Sequence, residues 1–305
     1  MEKFLSKYAK ILVVLATVLG ALSGPLGKAI SAPSLAIGFW RLTMGLPFFI
    51  IPVFASGYRR NELKDIDTKS LIGAVVAGIF LFIHFYAWFN AVKMTNISSA
   101  AVIASLHPLV VVFISIAIYK RKIGIKPIIG IVIALIGAAL TAGLDYANLS
   151  MTHFTGDMLA VITGLSMGIY YALGDKVRGK VDGAVYVLIL FASCWLCFLI
   201  AMLASGTSFF DYPSKDWIML VIMTLACQVG CHALNNLCLG HADSVYVSAW
   251  SASEMVFASF FAWLLIGQVP TNWGIIGSII VIGGLLYYVF NSRGIRGSRG
   301  LELDG

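Results

Sequence analysis

The feature that most constrains the fold is a series of long apolar segments separated by short connections. Ten segments have about the 17–25 residues that a membrane-spanning helix requires. Of the 305 residues, 60% are hydrophobic and 11% are charged, whereas soluble domains average about 25% charged residues. The sequence therefore predicts an all-α polytopic membrane protein with ten transmembrane helices. We number them span 1 to span 10, in the order 11–29, 34–55, 71–92, 98–118, 124–143, 157–174, 184–204, 217–239, 244–266 and 273–291.

The distribution of basic residues predicts the orientation of these spans. The net charge of +7 does not indicate nucleic-acid binding, because most of the 21 lysines and arginines lie in alternate connections. With the N-terminus inside, the outer loops keep Lys28, Lys93 and Lys215, and Arg41 lies within span 2. By the positive-inside rule, both termini are predicted to be cytoplasmic. The remaining 17 basic residues then lie on the inner side: Lys3, Lys7, Lys10, Arg59, Arg60, Lys64, Lys69, Lys120, Arg121, Lys122, Lys126, Lys176, Arg178, Lys180, Arg293, Arg296 and Arg299.

The two halves of the chain resemble each other when the sequence is shifted by 147 positions. This shift brings Gly130 onto Gly277 and Gly137 onto Gly284, and it places spans 4 and 5 on spans 9 and 10. Because five spans is an odd number, the two repeats are predicted to have opposite orientations in the membrane, as in many secondary transporters. The predicted units are residues 1–146 (spans 1 to 5), residues 147–292 (spans 6 to 10) and a cytoplasmic tail at 293–305.

Glu254 lies in the middle of span 9. An acidic residue at the centre of a bilayer helix costs about 2.5–3.5 kcal/mol on insertion scales, so a functional role is favoured over a structural one. The shift of 147 places His107 of span 4 at the equivalent position. Burial favours the protonated form of a carboxyl group, so Glu254 is predicted to exchange a proton during transport, or to bind a cationic substrate, or both in competition.

Other polar and aromatic residues share helical faces with these two. Tyr246, Trp250 and Glu254 are four residues apart in span 9, and span 3 carries His84 and Trp88. Because lipid cannot satisfy polar groups, we expect spans 3, 4, 8 and 9 to converge on one wet cavity. The predicted substrate-binding and coupling residues are Glu254, Trp250, Tyr246, His107, His84, Trp88, His232, Asn236 and Arg41.

Each of these residues also has a structural interpretation. The histidines and Asn236 could hydrogen-bond between helices, and His107 could bond the carbonyl that Pro108 leaves free. The tryptophans could face lipid, and Arg41 could extend its side chain towards the membrane surface. The alternatives for Arg41 are pairing with Glu254 or with an anionic substrate.

Two stretches resemble the drug/metabolite transporter superfamily, in its EamA-type ten-helix branch. They are "HFYAWFNAVKMTNISSAAVIASLHPLVVVFIS" in spans 3 and 4 and "CHALNNLCLGHADSVYVSAWSASEMVFASFFAWLLIGQ" in spans 8 and 9. "GDMLAVITGLSMGIYYALGDKVR" is similar to the start of the second repeat in that family. The resemblance implies transport of small metabolites, amino acids or organic cations, often with proton exchange. The sequence departs from the family where Met255 follows Glu254 and where Arg121 and Gln268 replace the usual acid at the ends of spans 4 and 9.

The function predicted is secondary active transport of a small polar or cationic metabolite, with proton-coupled export by alternating access. The alternatives are import of a quaternary amine or other organic cation, and a membrane sensor or scaffold. No HExxH and no nucleotide-binding loop occurs in the sequence, so an enzyme and an ATP-driven pump are not expected. We expect no cofactor and no metal, and the predicted partners are a small-molecule substrate, protons and the lipid bilayer, with a homodimer left open and no nucleic acid. The predicted location is a prokaryotic plasma (inner) membrane.

Overall fold

The computed structural model describes residues 2–120, 124–143, 151–239, 241–242, 244–269 and 272–291, and this part of the chain is almost entirely helical. The predicted tail at 293–305, Arg121 and the boundary between the repeats lie outside the described residues. The helices are Glu2–Gly20, Ser23–Ala29, Ser34–Gly45, Pro47–Ala55, Gly57–Asp65, Thr68–Met94, Ile97–Ala104, His107–Ala117, Ile125–Gly143, Met151–Arg178, Gly183–Ser205, Ser214–Met223, Leu234–Cys238, Ser244–Ala252, Glu254–Ile266 and Asn272–Asn291, with a π-helix at Thr224–Ala233.

Eight segments of the described chain are long and apolar enough to cross a membrane. They correspond to spans 1 to 4 and 6 to 9: Lys7–Ala29, Ser34–Ala55, Thr68–Met94, Ile97–Ala117, Met151–Arg178, Gly183–Ser205, Ser214–Cys238 and Ser244–Ile266. Spans 5 and 10 contain shorter apolar helices, Ile125–Gly137 and Asn272–Tyr288. The protein is therefore an all-α, multi-pass membrane protein, and the number of ten spans stays a prediction.

In the part of the chain that the structure describes, four spans are interrupted; the glycines and prolines of spans 1 and 2 indicated a bend there, and the breaks in spans 4 and 9 were not predicted. Span 4 stops at Ala104 and resumes at His107, because Pro108 has no N–H to donate to the carbonyl of Ala104. Span 1 is broken between Gly20 and Ser23, four residues before Pro25, and span 2 is broken immediately before Pro47. In span 9, which has no proline at this point, the Ser253 hydroxyl donates to the carbonyl of Trp250 (2.6 Å) beside the break.

The packing of spans 4 and 9 follows the internal repeat. The first half of span 4 (Ile97–Ala104) packs against the second half of span 9 (Glu254–Ile266). The second half of span 4 (His107–Ala117) packs against the first half of span 9 (Ser244–Ala252). The two spans therefore run antiparallel. Spans 1 and 6 are equivalent in the two repeats, as are spans 3 and 8. Span 1 packs against span 8, and span 6 likewise packs against span 3.

Glycines bring spans 5 and 10 into close contact in the same reciprocal way. A Cβ on Gly130 would lie 2.7 Å from the carbonyl oxygen of Gly284, and one on Gly137 would lie 2.7 Å from that of Gly277. Only glycine permits helix backbones to approach this closely. Neighbouring Gly283 instead points away, and a Cβ added there would meet no atom within 4 Å, because successive residues of a helix face directions about 100° apart.

Candidate functional site

A cavity lies between spans 1, 3, 4, 6, 8 and 9, beside the breaks in spans 1, 4 and 9. It has an empty volume of about 490 Å³, counting the space that is open to solvent. Irregular backbone at membrane depth is tolerated where it lines a protein cavity of this kind. The lining residues are Ser23, His84, Trp88, Ala101, Ala104, Ser105, His107, Thr163, Met167, His232, Ser251, Ala252, Glu254, Met255 and Ala258.

Glu254 is the first residue of the second half-helix of span 9, where the helix dipole favours a negative charge. Its side chain is partly exposed and lines the cavity. A Cβ added to Gly20, at the end of the first half-helix of span 1, would lie 2.9 Å from its Oε2 atom. Within the described residues, no hydrogen bond or ion pair holds this carboxylate. It is therefore available to a proton or a ligand.

His107 begins the second half-helix of span 4, at the position equivalent to Glu254. Its Nδ1 lies 3.1 Å from the carbonyl oxygen of Ala104, which is the carbonyl that Pro108 leaves free. Its Nε2 lies 2.9 Å from the carbonyl oxygen of Ser248 in span 9. The side chain is buried and fastens the two broken spans to each other. Because carbonyls only accept, a neutral ring can donate to one of these oxygens and only a protonated ring to both.

The histidines of spans 3 and 8 meet at the cavity wall. The rings of His84 and His232 are 5.6 Å apart between centroids. His84 Nδ1 contacts the carbonyl oxygen of Thr163 (3.1 Å), and His232 Nδ1 contacts the hydroxyl of Tyr170 (3.2 Å). Each ring has a partner on span 6, so this span, which the sequence did not single out, helps to orient both histidines.

A second layer of polar groups supports the break in span 9. The hydroxyl groups of Tyr171 and Ser251 are 3.1 Å apart, and Asn235 Nδ2 donates to both (3.3 and 3.2 Å). Tyr171 also packs against His107, with centroids 5.9 Å apart. These contacts fix the backbone immediately before Glu254 without contacting its carboxylate.

Five of the nine residues predicted for the site line the cavity: Glu254, His107, His84, Trp88 and His232. Trp88 is buried and donates from Nε1 to Ser23 Oγ (3.1 Å), so it does not face lipid. Tyr246 and Trp250 contact each other (6.4 Å) outside the cavity lining. Their alignment with Glu254 assumed an unbroken helix, but span 9 is broken at Ser253, between these two residues and Glu254.

Asn236 and Arg41 also lie outside the cavity lining. Asn236 is fully buried and donates to the carbonyl of His232 within its own span (2.7 Å). Arg41 is fully buried, so its side chain does not reach the membrane surface. Its guanidinium group stacks on Phe85, 4.2 Å from Cζ to the ring centroid, and it forms no ion pair with Glu254.

The sequence interpretation missed the small polar residues of the cavity wall. Ser23, Ser105 and Ser251 border or lie within one turn of the breaks in spans 1, 4 and 9, and Thr163 lies on span 6. A serine two or three residues before a proline is the signal that could have revealed Ser23 and Ser105. In the part of the chain that the structure describes, no group of three or more His, Cys, Asp or Glu residues is placed to hold a metal ion.

Comparison with known proteins identifies the family. The model of the EamA-like transporter family matches residues 7–143 and again residues 154–290. The two matches cover most of the chain, one in each half. The chain therefore belongs to the EamA-like transporter family, within the drug/metabolite transporter superfamily.

Relatives and solved structures agree with this assignment. The chain is 24% identical to an uncharacterized transporter of Archaeoglobus fulgidus, over 82% of this chain and 85% of that protein. It is 22% identical to the uncharacterized transporter YdfC of Bacillus subtilis, over 82% and 80%. A WAT1-related protein of Arabidopsis thaliana is 18% identical, over 76% and 72%. A crystal structure with 14% identity superposes with a TM-score of 0.70, over 94% of this chain and 99% of that one, which shows the shared fold.

These findings define the class of the protein. It is a multi-pass membrane transporter that acts on a small molecule, and it is not an enzyme. The cavity beside the helix breaks is its candidate substrate site.

Proposed function

We propose that this protein exports a small polar or cationic metabolite in exchange for protons, with Glu254 as the shared site for proton and substrate. The observation that carries the proposal is the Glu254 carboxylate, which faces the cavity without a partner among the described residues. A proton or a cationic group neutralises this charge, but both cannot occupy it together. Competition for one carboxylate couples the two fluxes.

The cavity wall supplies further groups for a polar or cationic ligand. Trp88 offers an aromatic surface, and His84 and His232 offer ring nitrogens. Ser23, Ser105 and Ser251 add hydroxyl groups that can rotate to suit donors or acceptors. Tyr246 and Trp250 remain predictions as substrate contacts, for conformations in which the half-helices of span 9 take a different relative orientation. Asn236, in span 8, also remains a prediction.

Polar contacts tie the helices together at both ends of the bundle. At the predicted outer end, Lys28 Nζ donates to the carbonyl of Thr95 (2.9 Å), and Thr95 Oγ1 donates to Asp157 (2.9 Å). At the predicted cytoplasmic end, Arg59 pairs with Asp182 (3.1 Å). In alternating access, one set of contacts opens while the other holds. We propose that these two sets are the gates.

The remaining parts of the proposal follow from the sequence pattern. Ten spans with both termini cytoplasmic place Arg59 on the inner side, in agreement with the positive-inside rule. A prokaryotic inner membrane and a homodimer stay predictions. Uptake of an organic cation is the competing direction, and it uses the same carboxylate.

The test is transport by the purified protein in liposomes, recorded as flux of labelled substrate and also as currents on a solid-supported membrane, because exchange of one proton for one monovalent cation moves no net charge. Amino acids, nucleobases and quaternary amines are offered with and without a pH gradient, to the wild type, Glu254→Gln and Glu254→Asp. We expect a substrate flux that changes with the pH gradient, falls at least about 100-fold in Glu254→Gln because charge compensation is lost, and is partly kept in Glu254→Asp.

The control is Asp211→Asn, because Asp211 is an exposed acid outside the spans. It should transport like the wild type. A substrate flux that Glu254→Gln leaves unchanged, with the same dependence on the pH gradient, would show that this acid takes no part in coupling. The sign of the pH effect separates exchange with protons from uptake together with them.

A further inference from the structure

Arg41 is a buried cation without a hydrogen-bond partner. The side chain is fully buried, and Nε, Nη1 and Nη2 have no partner among the described residues. The guanidinium group packs on Phe85 (4.2 Å from Cζ to the ring centroid) and Phe89 (5.6 Å). Aromatic rings stabilise the positive charge but supply no lone pairs for the five N–H groups. The described part of the protein therefore supplies no acceptor for this side chain.

Gln228 is a second unpaired side chain in the same region. It lies in the π-helix of span 8 and is fully buried, and neither its Oε1 nor its Nε2 has a partner in the described chain. It packs on Gly45, where an added Cβ would lie 3.0 Å from Gln228 Cγ. Gly45 is one helical turn from Arg41 in span 2. Two facing spans thus leave polar groups unsatisfied at neighbouring positions.

Among the described residues a second arginine, Arg178, is also buried, and its guanidinium group has hydrogen-bond partners. Arg178 donates to backbone carbonyls, including those of Asn236 (3.3 Å) and Leu237 (3.4 Å). Unpaired buried donors are rare in native proteins, and each needs an explanation. Glu254 does not explain the unpaired donors of Arg41, because the two charges interact only over a distance and form no ion pair.

We propose that Arg41 and Gln228 form a second binding subsite, which takes a small monovalent anion. The planar guanidinium group donates in a fork that fits a carboxylate, and it also binds a halide. The Gln228 amide can rotate to present Nε2 as a further donor. In the present conformation the subsite is closed, so the anion enters when spans 2 and 8 separate slightly.

Phe85 connects this subsite to the cavity. Its ring contacts Arg41 and also His232, with centroids 4.7 Å apart in the latter pair, and His232 lines the cavity. The anionic group has two sources. It is either a free inorganic ion, or the carboxylate of a transported molecule whose cationic group meets Glu254, and this second source rests on the proposed function.

The experiment measures thermal unfolding of the purified full-length protein in detergent, at fixed pH and ionic strength. Sodium chloride, sodium acetate and sodium methanesulfonate are compared, because methanesulfonate is bulkier than the other two anions. We expect chloride or acetate to raise the apparent Tm by about 3 °C relative to methanesulfonate. Stabilisation by chloride identifies an inorganic anion, and stabilisation by acetate alone identifies a carboxylate.

Three variants separate this subsite from general salt effects. Arg41→Gln should lose the anion-dependent shift, and Gln228→Leu should weaken it at least by half. Arg60→Gln should keep the shift, because Arg60 is exposed. If Arg41→Gln does not fold, the anion-dependent shift in the apparent Tm of Gln228→Leu decides whether the subsite exists. Equal Tm values in the three salts for the wild type, or a shift that survives in both variants, would overturn the proposal. Glu254→Gln should keep the shift, so this test and the transport test fail independently.

Discussion

The breaks in spans 4 and 9 occupy equivalent positions in the two repeats, but the residue that follows the break has hydrogen-bond partners in only one of them. At the break in span 4, His107 contacts the carbonyl oxygens of Ala104 and Ser248 and is buried. At the break in span 9, Glu254 faces the cavity with no partner in the described chain. One interruption therefore serves to join the two repeats, and the other offers its charge to a ligand.

The difference shows how a duplicated backbone feature can acquire two uses. Both half-helices begin with a titratable residue, 147 positions apart. A histidine ring donates to one carbonyl when it is neutral and to two when it is protonated, so it can hold helices together, whereas an ionised carboxylate has no donor for a carbonyl. The side chain at the start of the half-helix therefore decides whether the break is held by contacts to another helix or presents a charged group to the cavity.

The largest effect on folding is expected from removal of the His107 side chain at the break in span 4. His107→Ala removes two contacts to backbone carbonyls and leaves a cavity, which should lower the free energy of unfolding by about 2–4 kcal/mol. The apparent Tm in detergent should fall by at least about 5 °C. The control is Ser248→Ala, which keeps the backbone carbonyl that His107 contacts and should lose less than half as much. An unchanged Tm in His107→Ala would mean that His107 does not fasten the spans.

At the break in span 9, a larger side chain placed close to Glu254 is expected to impair transport. In Gly20→Ala, the new Cβ would lie 2.6 Å from Cys231 Sγ and 2.9 Å from Glu254 Oε2, so both side chains must move at a cost of about 1–3 kcal/mol. Because the carboxylate is displaced, transport by proteoliposomes should fall about 10-fold. Gly283→Ala is the matched control, because its methyl group meets open space. Equal transport in the two variants would contradict the placement of Glu254.

The smallest effect is expected from the polar layer between the two breaks. Tyr171→Phe removes the hydroxyl that contacts Ser251 and accepts from Asn235, a loss of about 1 kcal/mol. The apparent Tm should fall by about 2–4 °C. Tyr58→Phe serves as the control, since Tyr58 is exposed. If the two variants unfold alike, the hydroxyl of Tyr171 does not support the span 9 break.

The sequence predicted the helical architecture well because hydropathy reports which segments are apolar. All ten predicted spans coincide with helices of the described chain. The shift of 147 also aligned Glu254 with His107 correctly, since repeats preserve the spacing of glycines and of the residues that begin half-helices. The membrane class and the family followed from these patterns.

The interior of the site was harder to predict, because hydropathy carries no information on backbone breaks. The spacing of Tyr246, Trp250 and Glu254 fits one continuous helix, but span 9 is broken at Ser253 and only Glu254 of the three lines the cavity. The burial of Arg41 could not be predicted from its distance to the end of span 2, because Phe85 and Phe89 come from another helix. The π-helix of span 8 also has no sequence signal in its apolar pattern.

The measurement that tests the central claim most directly is proton release on substrate binding. The purified protein is titrated, in weakly buffered solution with a pH indicator, with the substrate found in the transport screen. Competition at Glu254 predicts that the wild type releases protons as the substrate binds, and that Glu254→Gln releases none while His107→Gln still does. Equal release by the wild type and Glu254→Gln would contradict the assignment of proton and substrate to this carboxylate.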